Sequence, residues 1–116
     1  MVKKILVVDD DSGDSKKMKS ILQTKNYQVD CAKNGAEAID FVDKTNFDLI
    51  LLDVKMPTLS GYDLLRLLKN KENVKSKIIY VTVVPKKEVV LEDIDGFAQK
   101  PFSSESLIRE VKKVLK

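Results

Sequence analysis

Asp48-Leu-Ile-Leu-Leu-Asp-Val-Lys-Met-Pro57 runs four consecutive apolar residues, Leu49 to Leu52, into a single carboxylate, Asp53. Pro57 and then Gly61 follow closely. A short apolar run ended by turn residues predicts a strand buried on both faces, as in the interior of a parallel sheet. Ligands of open α/β sheets bind outside the carboxyl ends of the strands, which is where Asp53 falls.

Working outward, similar runs recur. Lys3-Lys-Ile-Leu-Val-Val8 reads as a buried strand that ends in Asp9, Asp10 and Asp11, and Lys77-Ile-Ile-Tyr-Val-Thr82 as another. Tyr27 to Ala32 alternates as a second strand before the Asn34-Gly35 turn, and Asp95 to Gln99 is a short fifth. Between them lie helical patterns. Asp11 or Ser12 caps a helix with Met18, Ile21 and Leu22 inward, and Asn26 ends it. Ala38, Ile39 and Val42 line a helix over residues 36–44, and Leu64, Leu65 and Leu68 one from Gly61 to about Asn70, with Leu67 on its flank. Residues 86–92 have room for only about two helical turns after Pro85. Ser103 or Ser104 caps the last helix, where Leu107, Ile108, Val111, Val114 and Leu115 share a face. Five strands alternating with five helices predict a doubly wound α/β fold: a five-stranded parallel sheet with right-handed crossovers and helices on both faces.

The chain of 116 residues has room for one domain, spanning 1–116, and its 43% hydrophobic content suffices for a core. Net charge is +3 with scattered lysines, which gives no nucleic-acid-binding stripe. No run is apolar enough to span a membrane. One cysteine, Cys31, and no apolar leader point to a reducing, cytoplasmic setting, with Cys31 a buried, inert thiol. The absence of histidine removes His-based triads, His-ligated zinc and phosphohistidine chemistry on this chain.

Strand ends of a parallel sheet cluster on one edge, so Asp9, Asp10, Asp53, Thr82 and Lys100 are expected together. Three converging carboxylates repel by several kcal/mol at low dielectric. A hard divalent cation relieves that repulsion, and Mg²⁺ prefers such oxygen ligands. A carboxylate nucleophile beside Mg²⁺, a lysine and a hydroxyl is a phosphoryl-transfer arrangement.

Ile5-Leu-Val-Val-Asp-Asp-Asp11, Leu51-Leu-Asp-Val-Lys-Met-Pro57 with Gly61, Val81-Thr82 and Lys100-Pro-Phe102 occur in order along the whole chain. On these motifs the sequence resembles a response-regulator receiver domain, the family of the chemotaxis protein CheY. The resemblance implies sheet order 2-1-3-4-5 and a phosphoryl group accepted on Asp53 from a sensor histidine kinase or phosphotransfer protein. It implies Mg²⁺ held directly by Asp10 and Asp53, through water by Asp9, and by the Lys55 backbone carbonyl. Lys100 would hold a phosphoryl oxygen, Thr82 would swing in to bond another, and Phe97 would follow as the switch aromatic. A cis Lys100-Pro101 peptide belongs to the same pattern. Such a domain catalyses only its own phosphorylation and dephosphorylation, and is not otherwise an enzyme. With no output domain expected after the last helix, it would act as a stand-alone switch on a downstream protein.

Three features depart from the family pattern. Val83 stands where the family has a small residue and is expected, with Val84 and Pro85, to crowd the phosphate entrance. Lys55 occupies a position that tunes hydrolysis. Residues 83–99 are shorter than usual by about one helical turn, so the fourth helix is expected to be short and loose. The signalling face of fourth helix, fifth strand and fifth helix would carry Lys86, Lys87, Phe97, Lys112 and Lys113, and suit an acidic partner. Two alternatives stay open: a receiver-like interaction module that does not phosphorylate, and a haloacid-dehalogenase-type phosphatase with Asp9 as nucleophile and Asp11 as general acid.

Overall fold

The apolar runs fold as strands because each has an apolar layer on both sides. The computed structural model describes residues 2–116. It contains β1 (Lys4–Val8), β2 (Gln28–Ala32), β3 (Leu49–Leu52), β4 (Lys77–Thr82) and β5 (Gly96–Gln99), joined in one sheet of order β2-β1-β3-β4-β5. All four pairings are parallel. Along β1, Leu6 and Val8 face one core while Ile5 and Val7 face the other. β3 divides in the same way, with Ile50 and Leu52 opposite Leu49 and Leu51. That two-sided burial explains why these strands read as unbroken apolar runs rather than alternating ones.

α1 (Ser12–Gln23) and α4 (Ser104–Leu115) cover one face; α2 (Gly35–Lys44) and α3 (Gly61–Lys69) cover the other. Met18, Ile21, Leu22, Leu107 and Val111 are the buried anchors of the first pair. Ala38, Val42, Leu64, Leu65 and Leu68 are those of the second. Local chemistry sets the helix starts. Asp11, not Ser12, caps α1, its carboxylate accepting from Asp14 N at 3.0 Å. Ser103, not Ser104, caps α4, in a reciprocal pair with Ser106. Asn26, in the left-handed region at φ 66°, turns the chain after α1 toward β2.

The expected fifth α-helix is absent: four α-helices form among the described residues, and residues 86–92 supply only a 3₁₀ turn over Lys86–Glu88. The reason is the lack of an inward stripe. Of residues 86–92 only Val89 is buried, while Val90 and Leu91 are 58% and 40% exposed. A helix with one apolar anchor has no packed face to offset its nucleation cost. Pro85 is extended at its start, Val89 is already extended at φ −100° and ψ 135°, and Asp93 has positive φ. The family's usual fifth helix is therefore α4 here. Cys31 is half-buried rather than buried, with Sγ 3.8 Å from the Ser15 carbonyl oxygen, and burial pushes its thiol pKa up. No helix among the described residues is long and apolar enough to cross a membrane.

Candidate functional site

Each central group hangs from a neighbouring strand. Asp9 N donates to the Ala32 carbonyl at 3.1 Å, Asp53 N to the Val8 carbonyl at 3.0 Å, and Lys100 N to the Thr82 carbonyl at 2.8 Å. These bonds extend the parallel ladder one step past β2, β1 and β4, fixing where the side chains leave the backbone. At α3, Gly61 approaches the same edge. An added Cβ there would lie 2.3 Å from the Asp53 carbonyl oxygen, so only glycine lets the helix start this close. Lys100-Pro101 is a cis peptide, and Lys17 Nζ bonds the Phe102 carbonyl at 3.2 Å beside it.

The Lys100 ammonium is the hub. It donates to Asp9 Oδ2 at 2.6 Å and Asp53 Oδ2 at 3.1 Å, and lies 3.0 Å from Asp14 Oδ2. The remaining oxygens of the first two are also held: Asp9 Oδ1 accepts from Asp11 N at 2.9 Å and Asp53 Oδ1 from Lys55 N at 3.1 Å. Asp9, Asp53 and Lys100 are buried, whereas Asp10 is exposed at the rim. Burial is the largest influence on Asp9 and raises its carboxyl pKa above the ordinary 3.8; the Lys100 and Asp11 hydrogen bonds offset this only in part. Burial also works against the Lys100 charge, but the hydrogen bonds it donates to Asp9 and Asp14 and the Asp53 charge outweigh it, so its pKa moves up.

Carboxylate oxygens of Asp9, Asp10 and Asp53 all lie within 4.8 Å of one another. Three hard oxygen donors at that spacing fit a small divalent cation such as Mg²⁺. The other expected residues sit around this cluster with different roles. Thr82 is fully buried at the end of β4, and its Oγ1 accepts from Val84 N at 3.3 Å. Lys55 offers its backbone to Asp53 while its side chain is exposed. Val83 is 57% exposed on the β4 side of the edge. Phe97 is half-buried against the core under α2 and α3, and its N–H donates to Glu110 Oε1 at 3.1 Å.

Two residues escaped the reading of the sequence. Asp14 touches Lys100, but an acid in a first helical turn ordinarily reads as a complement to the helix dipole. Gln99 ties the ends of β4 and β5 together, its Nε2 donating to the carbonyls of Thr82 at 3.2 Å and Val83 at 2.9 Å. Only its place beside Lys100 in the sequence hinted at that.

A sequence model of the response regulator receiver domain matches residues 5–112. The chain belongs to that family. Receiver domains are signalling domains of two-component systems and bind Mg²⁺ at an acidic pocket; in this chain Asp9, Asp10 and Asp53 bring together three carboxylates that could hold such an ion. The chain is 33% identical to the nisin biosynthesis regulatory protein NisR of Lactococcus lactis, over 100% of this chain and 52% of that protein. It thus spans about half the length of that curated relative. Among solved structures it is similar to the chemotaxis protein CheY4 of Vibrio cholerae, with a TM-score of 0.92 at 29% identity, covering 99% of this chain and 100% of that one. The response regulator TrrA of Thermotoga maritima, solved in complex with Mg(2+)-BeF, has a TM-score of 0.88 at 34% identity, covering 98% of this receiver domain and 100% of that chain.

Proposed function

We propose that residues 1–116 form one cytoplasmic receiver domain that accepts a phosphoryl group on Asp53 from a histidine kinase or phosphotransfer protein. The observation that carries this reading is the buried Lys100 ammonium bridging Asp9 and Asp53 within the acidic cluster. In the transfer an Asp53 oxygen attacks phosphorus, the donor's phosphorus–nitrogen bond breaks, and the nitrogen keeps the electron pair. Lys100 then pairs with a phosphoryl oxygen in place of the Asp53 oxygen it holds now. The Lys55 N–H steadies the carboxylate through its other oxygen. Thr82 Oγ1 accepts from the Val84 N–H, and its own proton stays available for a phosphoryl oxygen. Asp9, Asp10, Asp53 and the Lys55 carbonyl would hold Mg²⁺, which when bound supplies positive charge against the phosphoryl oxygens.

The new charge biases a two-state equilibrium in which Thr82 moves inward and Phe97 follows. The face affected carries exposed Lys86, Lys87, Lys112 and Lys113. A pocket of about 220 Å³ opens on this face, lined by Leu91, Ile94 and Phe97 with Lys86 and Lys113 balanced by Asp95 and Glu110, so the preference for an acidic downstream protein rests on the exposed lysines around it rather than on the pocket itself. The phosphatase alternative fits less well. The Asp11 carboxylate, which that reading needs as general acid, is engaged in capping α1.

Incubation with acetyl phosphate and Mg²⁺, borohydride trapping and peptide mass spectrometry test the reading. Label on Asp53, lost in Asp53→Asn, is expected. Label on Asp9 returns the phosphatase reading, and no label on the wild type leaves a non-phosphorylating module.

A further inference from the structure

Lys100 has three N–H donors and three carboxylate neighbours. Two of them, Asp9 and Asp53, belong to the acidic cluster; the third does not. Asp14 lies in the first turn of α1, with its Oδ2 3.0 Å from Lys100 Nζ. Its side chain is 36% exposed, against 1% for Asp9 and 8% for Asp53. Its backbone is fixed by the cap, through Asp14 N to Asp11 Oδ1 at 3.0 Å. The carboxylate therefore meets the ammonium from the solvent side of α1, outside the oxygens grouped by Asp9, Asp10 and Asp53.

We propose that Asp14 is a positioning residue that acts through Lys100, a second anchor that keeps the ammonium in the site while Asp9 turns an oxygen to the cation. The inference rests on the reading that Asp9, Asp10 and Asp53 hold Mg²⁺. Asp9 Oδ2 receives the shortest of the three Lys100 contacts, at 2.6 Å, and Asp9 Oδ1 is taken by Asp11 N. An ammonium and a divalent cation repel each other strongly across one buried oxygen. They compete for Asp9. Without Asp14, both remaining partners of Lys100 are carboxylates the cation also needs. With Asp14, the ammonium tilts toward an oxygen that the cation does not use, and stays within reach of Asp53. The fixed first turn of α1 makes that anchor available without a rearrangement.

The test is a Mg²⁺ titration followed by amide NMR on the full chain, for wild type, Asp14→Asn, Asp14→Glu, Lys100→Met and the Asp14→Asn/Lys100→Met pair. Asp14→Asn is expected to weaken Mg²⁺ binding about fivefold, the order of one partly exposed ion pair, and Asp14→Glu to restore most of it. In the Lys100→Met background the same change is expected to shift affinity less than about twofold, because the competitor is gone. Equal affinities for wild type and Asp14→Asn overturn the proposal. So does a fivefold effect that persists without Lys100, which makes Asp14 a distant field charge. A melting temperature lowered in Asp14→Asn with unchanged Mg²⁺ affinity makes it a structural residue only, and also overturns the proposal. Wild type that fails to bind Mg²⁺ removes the underlying reading as well. The ¹⁵N signal of the Lys100 ammonium keeps the test independent of how Lys100→Met folds. It should persist at saturating Mg²⁺ in wild type and broaden in Asp14→Asn; broadening in both overturns the proposal.

Discussion

Gly61→Ala should cost this domain about 2–3 kcal/mol, although alanine is the better helix former by about 1 kcal/mol. Gly61 does not have positive φ, so the cost is steric and not conformational. An added Cβ would stand 2.3 Å from the Asp53 carbonyl oxygen, 2.7 Å from Val54 Cα and 2.9 Å from the Asp53 carbonyl carbon. Ordinary contact begins at 3.4 Å, and every atom met is backbone. Relief requires α3 to back away from the tip of β3 by roughly 1 Å, which overpacked cores resist at about 1–3 kcal/mol. Backing away also loosens the packing of Leu64, Leu65 and Leu68, which are buried against the sheet at 0%, 6% and 1% exposure. The move also stretches the 2.9 Å bond from Gly61 N to the Val54 carbonyl, worth about 1 kcal/mol. Urea unfolding followed by circular dichroism measures the loss, and the melting temperature should fall by about 10 °C. Gly13→Ala is the control: its nearest obstacle is the Asp11 Oδ1 atom at 3.1 Å, the end of a side chain, and the change should lie within about 1 kcal/mol of wild type. A Gly61→Ala loss below about 0.5 kcal/mol refutes the steric reasoning.

Tyr80 is fully buried, its hydroxyl has no hydrogen-bond partner among the described residues, and burial pushes its pKa up to about 12. Tyr80→Phe should therefore stabilise by about 1 kcal/mol in urea unfolding, and a loss of stability would show the hydroxyl to be satisfied. Because the Asp9 pKa is raised on folding, the folded state holds that proton more tightly than the unfolded one. The contribution of Asp9 to stability then falls as pH rises from 3.8 through its folded value. The stability of Asp9→Asn relative to wild type should rise with pH over that window, in urea titrations between about pH 3 and pH 7; a difference that shrinks contradicts the burial argument. Val83→Ala should speed phosphorylation by acetyl phosphate severalfold by opening the β4 side of the site, and an unchanged rate removes the crowding idea. Amides of residues 83–92 should exchange hydrogen far faster than those of α4, and equal protection would contradict a loose connection.

The strands and the acidic edge were legible because both depend on period and position. β1, β3 and β4 are continuous apolar runs, and the residue types at their ends repeat a functional pattern in chain order. The missing helix was legible only as a shortage of length. Residues 86–92 are compatible with a helix in composition, and it is the single buried anchor, Val89, that decides against it. Asp14 was not legible, because a carboxylate in the first turn of a helix has a sufficient local explanation, and its contact with Lys100 joins residues far apart in the sequence. The unsatisfied Tyr80 hydroxyl is likewise invisible in sequence, where tyrosine simply suits a strand.

The short connection between β4 and β5 also has a bearing on how such a domain diversifies. Between Lys86 and Glu92 only Val89 is buried, so substitutions at the other positions of that segment leave both cores intact. The acidic edge has no such latitude, since Asp9, Asp53 and Lys100 hold one another through buried contacts. Lineages, or engineers, can therefore rewrite the exposed positions of residues 86–92, or graft a foreign recognition loop into them, while Val83 and Val84, which border the site, and the acidic cluster around Asp53 stay in place.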